Sequence, residues 1–324
     1  MKQQAFERER QVLWERFEAR LASVRQGYRL GGSKDADAFA REYEQIARDL
    51  NLAQARGYSR SLLVRLNDLV VRGHNVVYVY RSSFLRASLR FIAAGFARRV
   101  RAEWRYVGVA ALLFWGPFAG IAIAIGVAPE YIYSVMAPAD VANLEAMYDP
   151  AARVLGPERE ADSDFAMFGH YIWNNISIGF RAFAGGLVFG LLTVVVLLFN
   201  GLYIGAAAAH LVGIGFQDTF LSFVAGHSAL ELTAIVLSGA AGLMLGHALL
   251  IPGRVSRLVA LREAAGRGVE VVMGAALMLL GAAFIEAFWS SSTLLPLAVK
   301  YTFGVIMWVL VVAYFLFAGK RRGS

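Results

Sequence analysis

Apolar residues along this chain follow two patterns, and the change comes near residue 105. Before it they recur every three or four positions among charges: Phe6, Leu13, Phe17 and Leu21 within 5–26, Phe39, Tyr43, Ile46 and Leu50 within 36–56, and Leu62, Leu66, Leu69 and Val70 within 60–81. That spacing gathers one apolar stripe on each of three amphipathic helices, so the segment predicts a small helical bundle, first broken at LGGSKD. Residues 82–101 continue as a basic amphipathic helix, with Phe84, Phe91, Ile92 and Phe96 set against Arg86, Arg90, Arg98 and Arg99. Such a helix suits a membrane surface.

After residue 105 the apolar residues form six runs, at 106–127, 171–199, 202–216, 221–250, 269–289 and 295–318. Most reach the ~20 residues that a ~30 Å hydrocarbon core requires. The third is short, and only Asn200 and Gly201 separate it from the second, so it reads as a tilted or partly inserted helix. The predicted fold is therefore all-α: a polytopic membrane bundle of about six spans over 106–319, an amino-terminal cytoplasmic helical domain over 1–105, and a basic tail over 320–324.

Composition agrees, because 58% of the residues are hydrophobic and only 17% charged, a balance that soluble domains do not need. Residues 1–105 carry a net charge of +10 and the rest of the chain about −2. A basic segment ahead of membrane spans reads as a cytoplasmic domain that can touch anionic lipid. Its arginines alternate with acids and accompany no recognition motif, which argues against nucleic acid. The absence of cysteine excludes disulfides, iron–sulfur ligation and thiolate zinc sites. With a charged first hundred residues there is no secretory signal, and the first span is expected to act as an uncleaved anchor.

Basic residues beside the spans set the orientation. Arg98, Arg99, Arg101 and Arg105 precede the first span, Arg254, Arg257, Arg262 and Arg267 follow the fourth, and Lys320, Arg321 and Arg322 follow the sixth. Placing all three groups inside puts both termini in the cytoplasm and the loop 128–169 outside. That loop is acidic, with Glu130, Asp140, Glu145, Asp149, Glu158, Glu160, Asp162 and Asp164 against Arg153 and Arg159.

Counting ~1.5 Å per residue from the outer end of each expected span brings polar residues to one depth. Asn174, Asn175 and Arg181 fall in the outer third of the second span, and His227 and Glu231 in that of the fourth. Glu286 and Lys300 reach the same level on the fifth and sixth. Formal charge balances, Arg181 and Lys300 against Glu231 and Glu286, as expected where ionisable groups in a bilayer pair. Asn174 and Arg181 share a face, as do His227 and Glu231. Gly281, Ala282 and Ala283 flank Glu286, and the pairs Gly186/Gly190, Gly201/Gly205 and Gly242/Gly246 suit close helix packing.

Three readings of this layer stay open: an interhelical clasp that fixes register, a transport or proton-relay path, and a metal or hydrolytic site. HSALE offers a His and a Glu on one face, but HExxH does not occur and His247 lies more than five turns from His227. No catalytic residue, metal set or cofactor is therefore assigned. His74 reads as a surface or packing residue, and Tyr148, Asp149 and Pro150 as the end of a short external helix. Trp104, Trp173 and Trp289 read as interfacial anchors.

Several stretches carry a resemblance: MFGHYIWNNISIGFRAFAGG, LLFNGLYIGA, AGHSALELTAIVLSGAAGLMLG, IPGRVSRLVALREA and AAFIEAFWS, with RDLNLAQARG and RLNDLVVRGHNVVY before them. In this order they resemble the stage II sporulation protein M family, in the variant found in non-sporulating Gram-negative bacteria. The resemblance implies a multi-pass cytoplasmic-membrane protein without established catalytic activity. Sporulation members work with cell-wall hydrolases during engulfment. The Gram-negative relatives resemble members of gene sets that encode a MoxR-type AAA+ ATPase and von Willebrand A-like proteins. Asn174, Asn175, Asn200, Gly201, His227, Glu231, Pro252, Gly253 and Glu286 match family positions, whereas Ser228 stands where many members have glycine. The expected role is a non-enzymatic scaffold or anchor in a cell-envelope complex. Its partners would be membrane lipid, other envelope proteins and a MoxR-type system, with a homo-oligomer also open; the alternative is a small-solute or ion conductor.

Overall fold

A computed structural model describes residues 3–25, 33–151, 164–290 and 295–320. The acidic-loop residues Arg153, Glu158, Arg159, Glu160 and Asp162, the tail residues Arg321 and Arg322, and the side chains of Phe84 and Asp164 lie outside the described residues. The chain divides into two compact units, residues 1–90 and 91–324.

The first unit consists of α1 (Gln3–Arg25), α2 (Ser33–Ala55) and α3 (Arg60–Arg90). The stripes read from the sequence form its core: Phe6, Phe17 and Leu21 from α1, Phe39, Ile46 and Leu50 from α2, and Leu62, Leu66 and Leu69 from α3, joined by Trp14. Trp14 also donates through Nε1 to Asp49 at 2.9 Å, so one polar bond crosses an apolar core. Gly57, at φ +62, turns the chain from α2 into α3 in the left-handed region that glycine tolerates. Gly73 lets α3 approach closely, since a Cβ there would come within 2.8 Å of Phe17 and 2.9 Å of Tyr43. His74 sits at the rim beside the Tyr43 hydroxyl.

The second unit begins with a π turn at Phe91–Gly95 and α4 (Phe96–Ala102), then α5 (Trp104–Val127) and α6 (Pro138–Tyr148). It continues with α7 (Asp164–Ala184), α8 (Leu191–Gly213), α9 (Gln217–Leu250), α10 (Arg257–Ile285) and α11 (Leu297–Phe317). The division at Arg90 falls earlier than the expected boundary at 105, because Phe96 and Val100 are buried against Leu237, Val271 and Ala275 of the bundle. Arg99 pairs with Glu270 at 2.6 Å, and Arg101 donates to the Phe315 and Ala318 carbonyls. The residues around Phe96 therefore belong to the bundle rather than to a free surface helix.

Among the described residues five helices are long and apolar enough to cross a membrane: α5, α8, α9, α10 with its π extension to Ser290, and α11. The expected second and third spans are partitioned differently. The chain turns at Gly185–Gly190, where Phe189 and Gly190 take positive φ, and α8 then runs unbroken through Asn200 and Gly201. Asn200 turns its amide onto the Val196 carbonyl one turn back, and Gly201 and Gly205 press against the Phe114 and Phe118 carbonyls of α5. The sixth member of the bundle is α7, an amphipathic helix that packs along α9 and α10.

Glycine contacts give the directions. Gly201 on Phe114 and Gly205 on Phe118 make α8 parallel to α5. Gly179 on Ser238 and Gly186 on Gly242 make α7 parallel to α9. Gly304 on Ala225, with Trp308 Nε1 donating to Ser228 Oγ, makes α11 parallel to α9 as well. One end of the bundle thus holds the start of α5, the α7–α8 turn, the α9–α10 turn and the end of α11. Arg99 and Arg267 both meet Glu103 at this end. The other end carries α6, whose Val141, Leu144 and Tyr148 are buried against Leu211, Phe220 and Phe223.

Candidate functional site

α9 supplies the first two groups. His227 and Glu231 are one turn apart, with Nε2 3.6 Å from Oε2. Gly226 beside them lets α10 approach, since a Cβ there would stand 3.1 Å from Ile285 and 3.2 Å from Trp289. α10 supplies the third, Glu286, at the first position of a π turn that extends to Ser290. Wide turns of this kind gather at functional sites because they re-aim side chains within an otherwise regular helix. One ligand-capable atom from each of His227, Glu231 and Glu286 lies within 4.8 Å of the others.

Around this triad the partners are specific. Ser290, fully buried, places Oγ 3.0 Å from His227 Nδ1. Lys300, also buried, donates from Nζ to the Ser290 carbonyl at 3.0 Å, a cation on the last carbonyls of a helix end. Asn175, only 1% exposed, lies beside Glu286, and its Oδ1 accepts from Asn174 Nδ2 at 3.3 Å. Glu286 Oε2, Asn175 Nδ2 and Trp289 Nε1 are buried without a hydrogen-bond partner among the described residues. Phe223 turns its ring edge to His227.

The expected layer assembles in part. Asn175, His227, Glu231, Glu286 and Lys300 converge, and Asn174 stands exposed at the edge. Arg181 does not join them. Because α7 ends at Ala184, Arg181 lies near the opposite end, beside the level where Ala182 meets Gly242; that is eleven positions, or ~17 Å, along α9 from Glu231. It is exposed and bonds the Ser177 carbonyl of its own helix. Neither Arg181 nor Lys300 forms an ion pair with Glu231 or Glu286 among the described residues, so the expected charge pairing is not formed. Pro252 and Gly253, at φ +70, make the α9–α10 turn, far from the cluster. His170 is exposed at the edge of α7, and His247 meets the Tyr106 hydroxyl at the opposite end.

Three contributors were not visible in the sequence. Ser290 and Trp289 reach the cluster through the π turn, and Trp289 packs its ring on Phe303. Tyr148, read as the end of a short helix, closes the cluster from α6. Its ring lies edge-on to Phe220 and Phe223, and burial, then the nearby Glu286, Tyr171 and Glu231, push its hydroxyl pKa well up. Glu145 anchors the same helix on His210 at 2.7 Å.

The stage II sporulation protein M family model matches residues 109–291, more than half of the chain and the whole of the cluster except Lys300. The chain belongs to the stage II sporulation protein M family. A second model, for a domain of unknown function (DUF8413), matches residues 4–79, within the three-helix unit. No curated protein and no solved structure matches the chain. The family assignment makes this a membrane protein. Ser228 uses its hydroxyl to receive the Trp308 indole of α11.

Proposed function

We propose that this stage II sporulation protein M relative is a non-enzymatic scaffold of the cytoplasmic membrane that holds a helical module at the inner surface for an envelope complex. The observation that carries this reading is the two-part build. A three-helix unit with its own closed core matches a family model of its own, and a membrane bundle matches another. The unit's core is sealed, so its exposed arginines, among them Arg8, Arg41 and Arg60, face outward for partners or anionic lipid. Basic residues flank one end of the bundle at Arg99, Arg101, Arg254, Arg257, Arg267 and Lys320, which supports a cytoplasmic position for that end and for both termini. The partner class that the resemblance implies is a MoxR-type AAA+ ATPase.

Affinity purification of the full chain from its native membrane is expected to co-elute an AAA+ ATPase. A chain lacking residues 3–90 is expected to insert normally and to lose that partner. Retention of the partner by the shortened chain, or no co-eluting envelope protein with the full chain, overturns the scaffold reading.

A further inference from the structure

The buried triad has a chemistry that scaffolding does not use. Two glutamates and a histidine from two helices come together, and among the described residues no Lys or Arg pairs with either glutamate, Lys300 donating to the Ser290 carbonyl. Like charges in a buried layer are costly unless an opposite charge joins them. Two features show that the space between them is arranged for something. The 1%-exposed Asn175 amide is set against the Glu286 carboxyl, and among the described residues neither Glu286 Oε2 nor Asn175 Nδ2 completes a hydrogen bond of ordinary geometry. The histidine, in contrast, is fixed. Its Nδ1 is held by Ser290 Oγ, whose backbone is in turn held by Lys300, and that bond leaves Nε2 turned toward Glu231.

We propose that His227, Glu231 and Glu286 bind one first-row divalent metal ion, of the zinc or manganese class, with Ser290 as the residue that orients the imidazole. The donor set is one imidazole nitrogen and two carboxylate oxygens, without thiolate in a cysteine-free chain, which suits borderline to hard divalent ions. The separation of His227 Nε2 and Glu231 Oε2, 3.6 Å, is close to the ~3.4 Å edge of a tetrahedron with metal–ligand bonds near 2.0–2.1 Å. A His and a Glu at positions i and i+4 of one helix chelate from a single face. The Nδ1–Ser290 bond is the arrangement that metal-bound histidines use to fix their tautomer. A dication neutralises both carboxylates. With three protein ligands the ion keeps an open position.

The test uses the full chain, tag-free, in detergent or nanodiscs, stripped with chelator and dialysed separately against Zn2+, Mn2+ and Mg2+. One Zn2+ or Mn2+ per chain is expected, with a rise in melting temperature on loading. X-ray absorption should show one imidazole nitrogen and oxygen donors near 2.0–2.2 Å. Glu286→Gln should abolish stoichiometric binding, and Ser290→Ala should weaken it by about 10- to 100-fold while the protein stays folded by circular dichroism. Wild-type protein that is folded by circular dichroism yet takes up no ion below millimolar concentration overturns the proposal, whatever the variants do. Binding left intact by Glu286→Gln, or Mg2+ binding equal to Zn2+ and Mn2+, overturns it too. None of these readouts depends on a cytoplasmic partner, so the site and the scaffold reading fail separately.

Discussion

Asp49 is a carboxylate in a hydrophobic core, taken there by the indole of Trp14. Burial raises its pKa above the ordinary 3.8, and the Trp14 bond and the Arg10 charge only partly offset that. The sign follows: a carboxyl whose folded pKa is raised favours folding while protonated, and that contribution is lost as pH climbs from about 3.8 through the folded value. In the isolated unit of residues 1–90, Asp49→Asn keeps an acceptor for Trp14 and removes the titration. Its stability relative to wild type should therefore increase between pH 3.5 and pH 7, read from urea midpoints at both. A difference that stays constant or shrinks with pH would sink this account. The carboxylate was not visible in the sequence because Trp14 and Asp49 meet only once α1 and α2 are packed.

At the scale of elements, helical spacing was a reliable guide and the glycines were not. The stripe residues of α1–α3 are the observed core, because a helix that buries one face must repeat its apolar positions every three to four residues. In the bundle two glycine signals exchanged roles. Asn200 and Gly201 looked like a break and are a helix interior, where the missing side chain admits the α5 backbone. Gly186 and Gly190 looked like a helix-packing pair and form the turn, while Gly186 also lies on Gly242. Composition alone does not separate a glycine chosen for φ from one chosen for space. Drawing the second span to 199, where α7 ends at Ala184, misplaced Arg181, whereas His227, Glu231 and Glu286 fell together because the expected ends near 221 and 289 lie within about a turn of the helix ends. Gly186→Ala tests the contact: its Cβ would strike the Gly242 carbonyl, a backbone atom that cannot rotate away. A destabilisation of about 1–3 kcal/mol is expected, seen as an earlier thermal melt in detergent. Gly169→Ala on α7, with no atom within 4 Å of its Cβ, should melt at or slightly above wild type.

For the whole molecule, the alternation of helix directions fixes which segments share a side. Ser256 caps α10 at the basic end, and Ser134 is exposed beside α6 at the other. In a chain without cysteine, single replacements report cleanly. With the basic end in the cytoplasm, a membrane-impermeant thiol reagent on intact spheroplasts should label a cysteine replacing Ser134 and leave one replacing Ser256 unmodified until lysis. The reverse pattern would invert the proposed orientation.

The parallel contact of α5 with α8 also has a consequence for biosynthesis. Ala110 and Phe114 are buried against helices made later, and Gly201, which receives Phe114, is synthesised roughly 90 residues after it. At ~5–20 residues per second α5 waits several seconds for that neighbour, and α7 must be laid down between them in the right sense. Until then its buried face has only lipid or the insertion machinery to meet. The first span to emerge thus reaches its native surroundings only after the middle of the chain has been made.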